Sequence, residues 1–255
     1  MEERITSRKN PLLVQVRRLL SSRSAREEAG LYVSDGTKLL EEAVRFCSGL
    51  DTVILSDGVE AETPPGVRRV RVPEDVMASI SPMSTPQGAL FLCRFPEKRP
   101  YVPRPGTVLL DGIQDPGNLG TILRTADALK VPAVLLEGCA DPYSHKVVRS
   151  SMGAVFRTPP VTLDWEQARA ALKTAGIPVA ATAMDEKARD LRTVDAGSLA
   201  VVIGSEGRGV RRQILAQAEK SLIIPMNPDC ESLNAAIAAA IVMWQMGKTG
   251  MAGGV

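Results

Sequence analysis

The chain has 255 residues, of which 44% are hydrophobic and only 4% are aromatic. That is enough apolar material for one large domain or two ordinary ones. The formal net charge is only +2 at pH 7, so the protein as a whole is not a polycation.

Cysteine and histidine usage argues against metal sites and hydrolase triads. Cys47, Cys93, Cys139 and Cys230 lie far apart and form no CxxC pair, which fits a reducing cytosol better than a zinc site or a disulfide framework. His145 is the single histidine. No apolar run reaches the ~18 residues of a membrane span, and the N-terminus has no signal-peptide core. We therefore expect a cytoplasmic protein without a metal.

The first 26 residues are basic, with seven arginines and lysines against two acids. Asn10 and Pro11 predict a helix start, as N-cap and first helical residue. The charge has two interpretations, a solvated amphipathic helix or a contact surface for nucleic acid phosphates. The cations that would make this contact are Arg8, Lys9, Arg17 and Arg18.

Helix and strand patterns alternate up to residue 95. LYVSD, TVILS, RRVRV and GALFLCRF are typical of strands, and GTKLLEEAVRFCS is typical of a helix. Four prolines and a closing glycine within residues 96–106 indicate a linker. We place a small α/β domain at 1–97, a linker at 98–106 and a second domain at 107–255.

The alternation restarts after the linker, and its strands are apolar throughout. TVLLDGI, AVLLE, PVAATAM, SLAVVIG and SLIIPM are separated by helices, which predicts a mostly parallel sheet covered on both faces. The last helix is predicted from Ser232, with Ser232 as its cap and Asn234 in its first turn. Its apolar residues lie on all sides, which indicates a deep core or a subunit interface.

Three loops follow predicted strands at the edge where open α/β sheets bind ligands. In the first, Asn118 is expected to cap a helix and Arg124 suits a phosphate, unless it is simply a surface arginine. The second has three glycines within six residues around Glu206, although it lacks the GxGxxG spacing of dinucleotide sites. The third has a neutral polar set, Asn227, Ser232 and Asn234, which suits adenine and ribose.

In this order and spacing, the three loops resemble the SpoU (TrmH-like) branch of the SPOUT RNA methyltransferases. That family carries an Asn, a Gly and an Arg in its first motif and a Gly-Ser-Glu-Gly in its second. Its third motif has an Ile-Pro-Met and a Ser-Leu-Asn, and an Arg-x-Ser-x-Gly lies between the first two. The matching residues are Asn118, Gly120, Arg124, Arg149, Ser151, Gly153, Gly204, Ser205, Glu206, Gly207, Ile224, Pro225, Met226, Ser232, Leu233 and Asn234.

The resemblance implies a fold, a cofactor and a partner. The second domain would be a SPOUT α/β domain with a parallel sheet and a deep trefoil knot. The first would be a ribosomal-protein-like RNA-binding α/β domain, which the ITSRKNP and VSDGTKLLEEA stretches resemble. The cofactor would be S-adenosylmethionine and the assembly a homodimer. The residues implied to hold the cofactor are Thr182, Ala183, Met184, Gly204, Glu206, Gly207, Ile224, Met226, Ser232 and Leu233.

The implied reaction is methyl transfer to a ribose 2′-oxygen of RNA, with ribosomal RNA of the large subunit favoured. Transfer RNA as substrate and an inactive RNA-binding assembly factor remain as alternatives. The residues implied to act in catalysis are Arg124, Asn118, Glu206, Ser232 and Asn234. Those implied to contact RNA are Arg8, Lys9, Arg17, Arg18, Arg124 and Arg149.

Overall fold

The computed structural model describes residues 2–98, 100–185, 187–227 and 229–250. Up to residue 98 the elements are β1 (Glu2–Arg4), α1 (Pro11–Ser21), α2 (Arg23–Ala29), β2 (Leu31–Asp35), α3 (Thr37–Phe46), β3 (Leu50–Ser56), β4 (Arg68–Val72), α4 (Glu74–Ile80) and β5 (Ala89–Arg94). Beyond it they are β6 (Thr107–Asp111), α5 (Pro116–Leu129), β7 (Ala133–Leu135), α6 (His145–Ser150), α7 (Ala154–Arg157), β8 (Val161–Thr162), α8 (Trp165–Thr174), β9 (Val179–Thr182), β10 (Arg189–Asp190), β11 (Ala200–Gly204), α9 (Arg212–Gln217), β12 (Lys220–Ile223) and α10 (Ala235–Gly250). Among these described residues, no helix is long and apolar enough to cross a bilayer.

The chain forms two compact units. One comprises Met1–Lys98 with Asp141–Pro159, and the other comprises Arg99–Ala140 with Pro160–Val255. The expected second domain, 107–255, therefore differs from the second unit in two segments, since 141–159 belongs to the first unit and 99–106 to the second.

Aromatic and ionic contacts explain why this segment belongs to the first unit. The ring of Tyr143 lies 5.0 Å from that of Tyr32 and 4.9 Å from that of Phe95, measured between centroids. Asp141 accepts a 2.9 Å hydrogen bond from Nε of the buried Arg26. Because these partners are distant in sequence, a pattern read along the chain does not connect them.

The first unit contains a five-stranded sheet in the order β1-β4-β3-β5-β2, in which β5 runs antiparallel to its two neighbours. Apolar residues of α1 and α4 pack with it into a core that includes Leu13 and Ile80. The start of α1 follows the prediction, since Asn10 Oδ1 accepts the amide of Leu12 at 2.9 Å and Pro11 is the first helical residue.

The second unit contains a seven-stranded sheet in the order β10-β12-β9-β11-β6-β7-β8, and every pair in it is parallel. The expectation of a parallel sheet is confirmed. The trefoil knot stays a prediction.

Two predicted helix starts are wrong. Helix α5 begins at Pro116 with Asp115 as its N-cap, accepting the amide of Asn118 at 2.7 Å. Helix α10 begins at Ala235, not Ser232, because the preceding Asn234 caps it. In each case a cap two or three residues away from the predicted residue satisfies the first helical N–H groups.

Helix α10 is buried on one face only, in contrast to the expected burial on all sides. Its buried residues are Ala235, Ala236, Ala239, Val242, Met243 and Met246. The opposite face exposes Ile237, Ile241 and Trp244, with 58% of the Trp244 surface accessible. These three residues recur at spacings of four and three, so they form one apolar stripe along the helix.

Candidate active site

The glycine-rich loop after β11 is closed so tightly that its first residue must be glycine. The Gly209 amide donates to the Ser205 carbonyl oxygen at 2.9 Å, and the two residues form a β-bridge. A Cβ on Gly204 would lie 2.0 Å from the Gly209 carbonyl carbon and 2.2 Å from the Val210 nitrogen. Both atoms are backbone, so no side-chain movement relieves the overlap. The loop returns to within van der Waals distance of its own start.

A buried aspartate fixes the far end of this loop. Asp111, only 1% exposed, ends β6 beside Gly204 in the parallel register. Its Oδ2 accepts the Arg211 amide at 2.8 Å, and its Oδ1 accepts Arg211 Nε at 2.6 Å. Sequence patterns do not connect Asp111 with Arg211. The only local signal of this pair is a carboxylate at the end of an apolar strand.

Glu206 connects all three motifs. Its Oε1 accepts from Asn118 Nδ2 at 2.7 Å, from Asn234 Nδ2 at 2.6 Å and from the Ala235 amide at 3.0 Å. Asn234 Nδ2 also donates to Asn118 Oδ1 at 3.1 Å. The loops after β6, β11 and β12 therefore meet at one carboxylate.

The junction also builds the N-terminus of α10. Asn234 Oδ1 accepts the amides of Ala236 and Ile237 at 3.0 and 3.3 Å. A helix N-terminus carries a partial positive charge, which the Glu206 carboxylate complements. Glu206 therefore helps to cap α10.

A cavity of about 450 Å³ lies beside this junction, within the second unit. Its walls include the apolar side chains of Ile203, Leu222 and Ala238. Of the residues expected to hold the cofactor, those that line it are Thr182, Ala183, Met184, Gly204, Glu206, Ile224, Met226, Ser232 and Leu233. Gly207 is the expected residue that does not line it. The volume falls within the roughly 300–1,000 Å³ typical of small-molecule sites.

The five expected catalytic residues occupy three places: the junction, the cavity wall and the surface of α5. Asn118, Glu206 and Asn234 form the junction, and Ser232 is an exposed residue on the cavity wall. The Arg124 side chain is exposed on α5 and makes no hydrogen bond or ion pair with any other described residue. Its guanidinium is therefore available to an external anion.

The expected RNA contacts outside the site all belong to the first unit. Arg8 and Arg18 are exposed but form ion pairs with Asp75 at 2.7 Å and Glu28 at 2.6 Å. Arg17 donates to a backbone carbonyl, and Lys9 is exposed. Paired cations bind phosphate less readily, so Lys9 and Arg17 are the stronger candidates.

Arg149 also lies in the first unit, 44% exposed, against the Met83 sulfur and 3.9 Å from Asp35. The single histidine precedes it by one helical turn. His145 is half-buried at the start of α6, and burial lowers its pKa. Its imidazole is therefore mainly neutral at pH 7, as a structural residue would be.

Comparison with known proteins identifies the class and then the family. The SpoU rRNA Methylase family model matches residues 105–244, and a model of the MRM3-like substrate binding domain matches residues 10–90. The chain is 31% identical to the 23S rRNA (guanosine(2553)-2′-O)-methyltransferase RlmP of Bacillus subtilis strain 168, over 89% of this chain and 92% of the relative.

Solved structures match along nearly the whole chain. An AdoMet-bound rRNA methyltransferase from Sinorhizobium meliloti has a TM-score of 0.85 at 28% identity, covering 97% of this chain and 98% of the other. A putative RNA methyltransferase of the TrmH family from Porphyromonas gingivalis has a TM-score of 0.84 at 32% identity, covering 94% and 98%.

The fold, the cavity and these likenesses define an RNA methyltransferase that uses S-adenosylmethionine. The chain belongs to the SpoU rRNA Methylase family.

Proposed function

We propose that the protein transfers a methyl group from S-adenosylmethionine to a ribose 2′-oxygen of ribosomal RNA, with large-subunit RNA as its substrate. The observation that carries the proposal is the junction at Glu206, where three loops meet beside a cavity of cofactor size. The relative from Bacillus subtilis, named for 2′-O-methylation of 23S rRNA, supports the choice of atom and RNA.

The residues at the cavity fit S-adenosylmethionine. Strands β9, β11 and β12 end there at Thr182, Gly204 and Ile223, so their backbone groups can bond the edge of an adenine. The apolar walls would cover the faces of a base, and Ser232 would offer a neutral hydroxyl to a ribose. When bound, the cofactor supplies a methyl group already activated by a sulfonium.

The chain itself must align the ribose and assist loss of its proton. We assign phosphate binding and stabilisation of the developing alkoxide to Arg124, because a guanidinium donates several N–H groups to anionic oxygens. Arginine is a poor general base in proteins, so we do not assign the proton transfer to it. Asn118, Glu206 and Asn234 hold one another by hydrogen bonds and would orient the ribose.

Arg124→Ala tests this assignment. We expect methylation of ribosomal RNA by the radiolabelled cofactor to be lost, while the circular dichroism spectrum and cofactor affinity stay as in the wild type. Arg169→Ala is the matched control, because Arg169 is a surface arginine of α8 in the same unit, paired with Glu166. Full activity of Arg124→Ala would overturn the assignment. Retained RNA binding by a wild-type protein without activity would favour the assembly-factor alternative.

The RNA class needs its own experiment. Purified large-subunit, small-subunit and transfer RNAs are each offered with the labelled cofactor, and the methylated nucleotide is mapped by resistance to alkaline cleavage. We expect label in large-subunit RNA alone. Label confined to transfer RNA would replace the proposed substrate by the alternative one.

We further propose that the protein is a homodimer that pairs through the exposed stripe of α10. Such a stripe on a water-facing helix is typical of a subunit interface. Trp244→Glu should yield monomers in analytical ultracentrifugation and reduce activity, whereas Gln245→Glu, one residue along the helix, should leave both unchanged. A fully active monomeric variant would break the link between dimer and site.

Lys9 and Arg17 would bind RNA phosphates. Each alanine variant should weaken RNA binding and reduce the slope of log affinity against log salt by about one. Arg18→Ala serves as the control, since Arg18 is already paired with Glu28. Equal salt slopes in all four proteins would place the RNA elsewhere.

A further inference from the structure

The charged side chains that line the cavity differ in whether they form hydrogen bonds or ion pairs with other described residues. Its described lining carries one cation, Arg208, and three carboxylates, Asp185, Glu206 and Glu231. Glu206 is held by the motif junction, and Asp185 Oδ1 accepts the Lys187 amide at 2.8 Å. Arg208 and Glu231 make no hydrogen bond or ion pair with any residue that the structure describes.

The backbone fixes where Arg208 sits, although its side chain is exposed. It occupies the turn between Ser205 and Gly209, which are bridged to each other, and Gly209 has a φ of +63°. The hydrogen bonds from Arg211 to Asp111 close the same loop two residues later. A cation on so constrained a turn faces the cavity without a protein partner, which leaves it ready for a ligand anion.

Glu231 approaches the same cavity from the third motif. Glu231 immediately precedes Ser232, and both residues line the cavity. Asn234, two residues after Ser232, caps α10. Among the described lining residues, Arg208 and Glu231 are therefore a cation and an anion whose side chains make no hydrogen bond or ion pair, and two different loops contribute them. A zwitterion is the ligand group that satisfies both.

The amino-acid end of S-adenosylmethionine is such a zwitterion, with an α-carboxylate and an α-ammonium on one carbon. A guanidinium binds a carboxylate through two parallel N–H donors, and a carboxylate accepts from an ammonium. We propose that Arg208 and Glu231 recognise the amino-acid end of the cofactor, Arg208 through its carboxylate and Glu231 through its ammonium. This inference rests on the proposed function, which places the cofactor in this cavity.

The assignment separates two parts of the ligand. The apolar walls and strand ends would bind the adenosine part, and the two free charges would bind the amino-acid part. Removal of either charge should then lower the affinity only for ligands that carry the matching group. If the residue had only a structural role in its loop, its substitution would lower the affinity for all ligands alike.

Calorimetry with three ligands tests this separation: S-adenosylmethionine, its decarboxylated form, and methylthioadenosine, which lacks the whole amino-acid end. Arg208→Gln should bind S-adenosylmethionine about tenfold more weakly, the size expected for an exposed charge-assisted pair. Its affinity for the other two ligands should match the wild type. Glu231→Gln should bind both ammonium-bearing ligands more weakly and methylthioadenosine unchanged.

Arg212→Gln is the matched control, because Arg212 is exposed at the start of α9 and does not line the cavity. Unchanged affinity of Arg208→Gln for S-adenosylmethionine would overturn the inference, as would an equal loss for methylthioadenosine. A wild-type protein that binds none of the three ligands would instead overturn the proposed function.

Discussion

Removing the Glu206 side chain should damage both the fold of the site and its activity. In Glu206→Ala, Asn118 Nδ2, Asn234 Nδ2 and the Ala235 amide lose a shared acceptor. The two asparagine side chains can regain hydrogen bonds to water, so losing their bonds to Glu206 costs less than it would in a dry core, whereas the Ala235 amide belongs to a buried residue. When the lost interaction between the carboxylate and the helix N-terminus is included, we expect Glu206→Ala to lower the free energy of unfolding by about 2 kcal/mol.

Glu206→Gln divides this effect into its parts. Glutamine keeps one acceptor oxygen but loses the charge, so we expect about half the loss of stability. For a unit of this size, 1 kcal/mol corresponds to about 2–4 °C in melting temperature. The alanine variant should therefore melt about 4–8 °C below the wild type in circular dichroism, with the glutamine variant between them.

Activity should fall further than stability. Asn118 and Asn234 would no longer be held in place, and misplacing groups that orient a substrate can cost about 10²-fold in rate. The assay is single-turnover methylation of ribosomal RNA at a temperature where all three proteins are folded. If Glu206→Ala melted and reacted like the wild type, the junction would have no role in either property.

Three further predictions concern the loop, its anchor and the first unit. Gly204→Ala should abolish cofactor binding in calorimetry because its Cβ would overlap backbone atoms, whereas Gly207→Ala, which has nothing within 4 Å of its Cβ, should bind normally; equal affinities would contradict the loop geometry. Arg211→Ala leaves the buried Asp111 carboxylate with one amide donor and should lower the free energy of unfolding in urea by about 2 kcal/mol. Asp111→Asn should cost less, because it removes the buried charge. A larger loss of stability in Asp111→Asn than in Arg211→Ala would refute this reasoning. A hydrogen bond from Cys93 lowers the pKa of Cys47 from 9.0 to about 7. The alkylation rate of Cys47, followed by peptide mass spectrometry, should therefore reach half its maximum near pH 7. A midpoint near pH 9 would show that Cys47 is an ordinary thiol.

The motifs were sufficient to identify the family, the cofactor and the α/β fold class, and the comparisons confirm all three. A local signal also identified the helix start at Asn10, where the side-chain cap is observed. Such signals succeed because a cap acts over three or four residues of chain.

The failures have equally local causes. Asn118 was expected to cap α5, but Asp115 and Pro116 form a stronger start three residues earlier, and the Asn118 side chain instead donates from Nδ2 to Glu206. Trp244 is mostly exposed although it lies on a helix that is apolar on all sides, whereas Trp165 is buried. A pattern apolar on all sides does not say which side another molecule covers.

The sequence by itself determined the family and the residues that form its three motifs, because motif residues are defined by type and spacing along the chain. Only the tertiary structure decided how they work together. Glu206 is separated by 88 residues from Asn118 and by 28 from Asn234, and Asp111 by 100 from Arg211. Parallel strands end at one edge of a sheet whatever their order in sequence, and that geometry brings these distant loops to one carboxylate and one cavity.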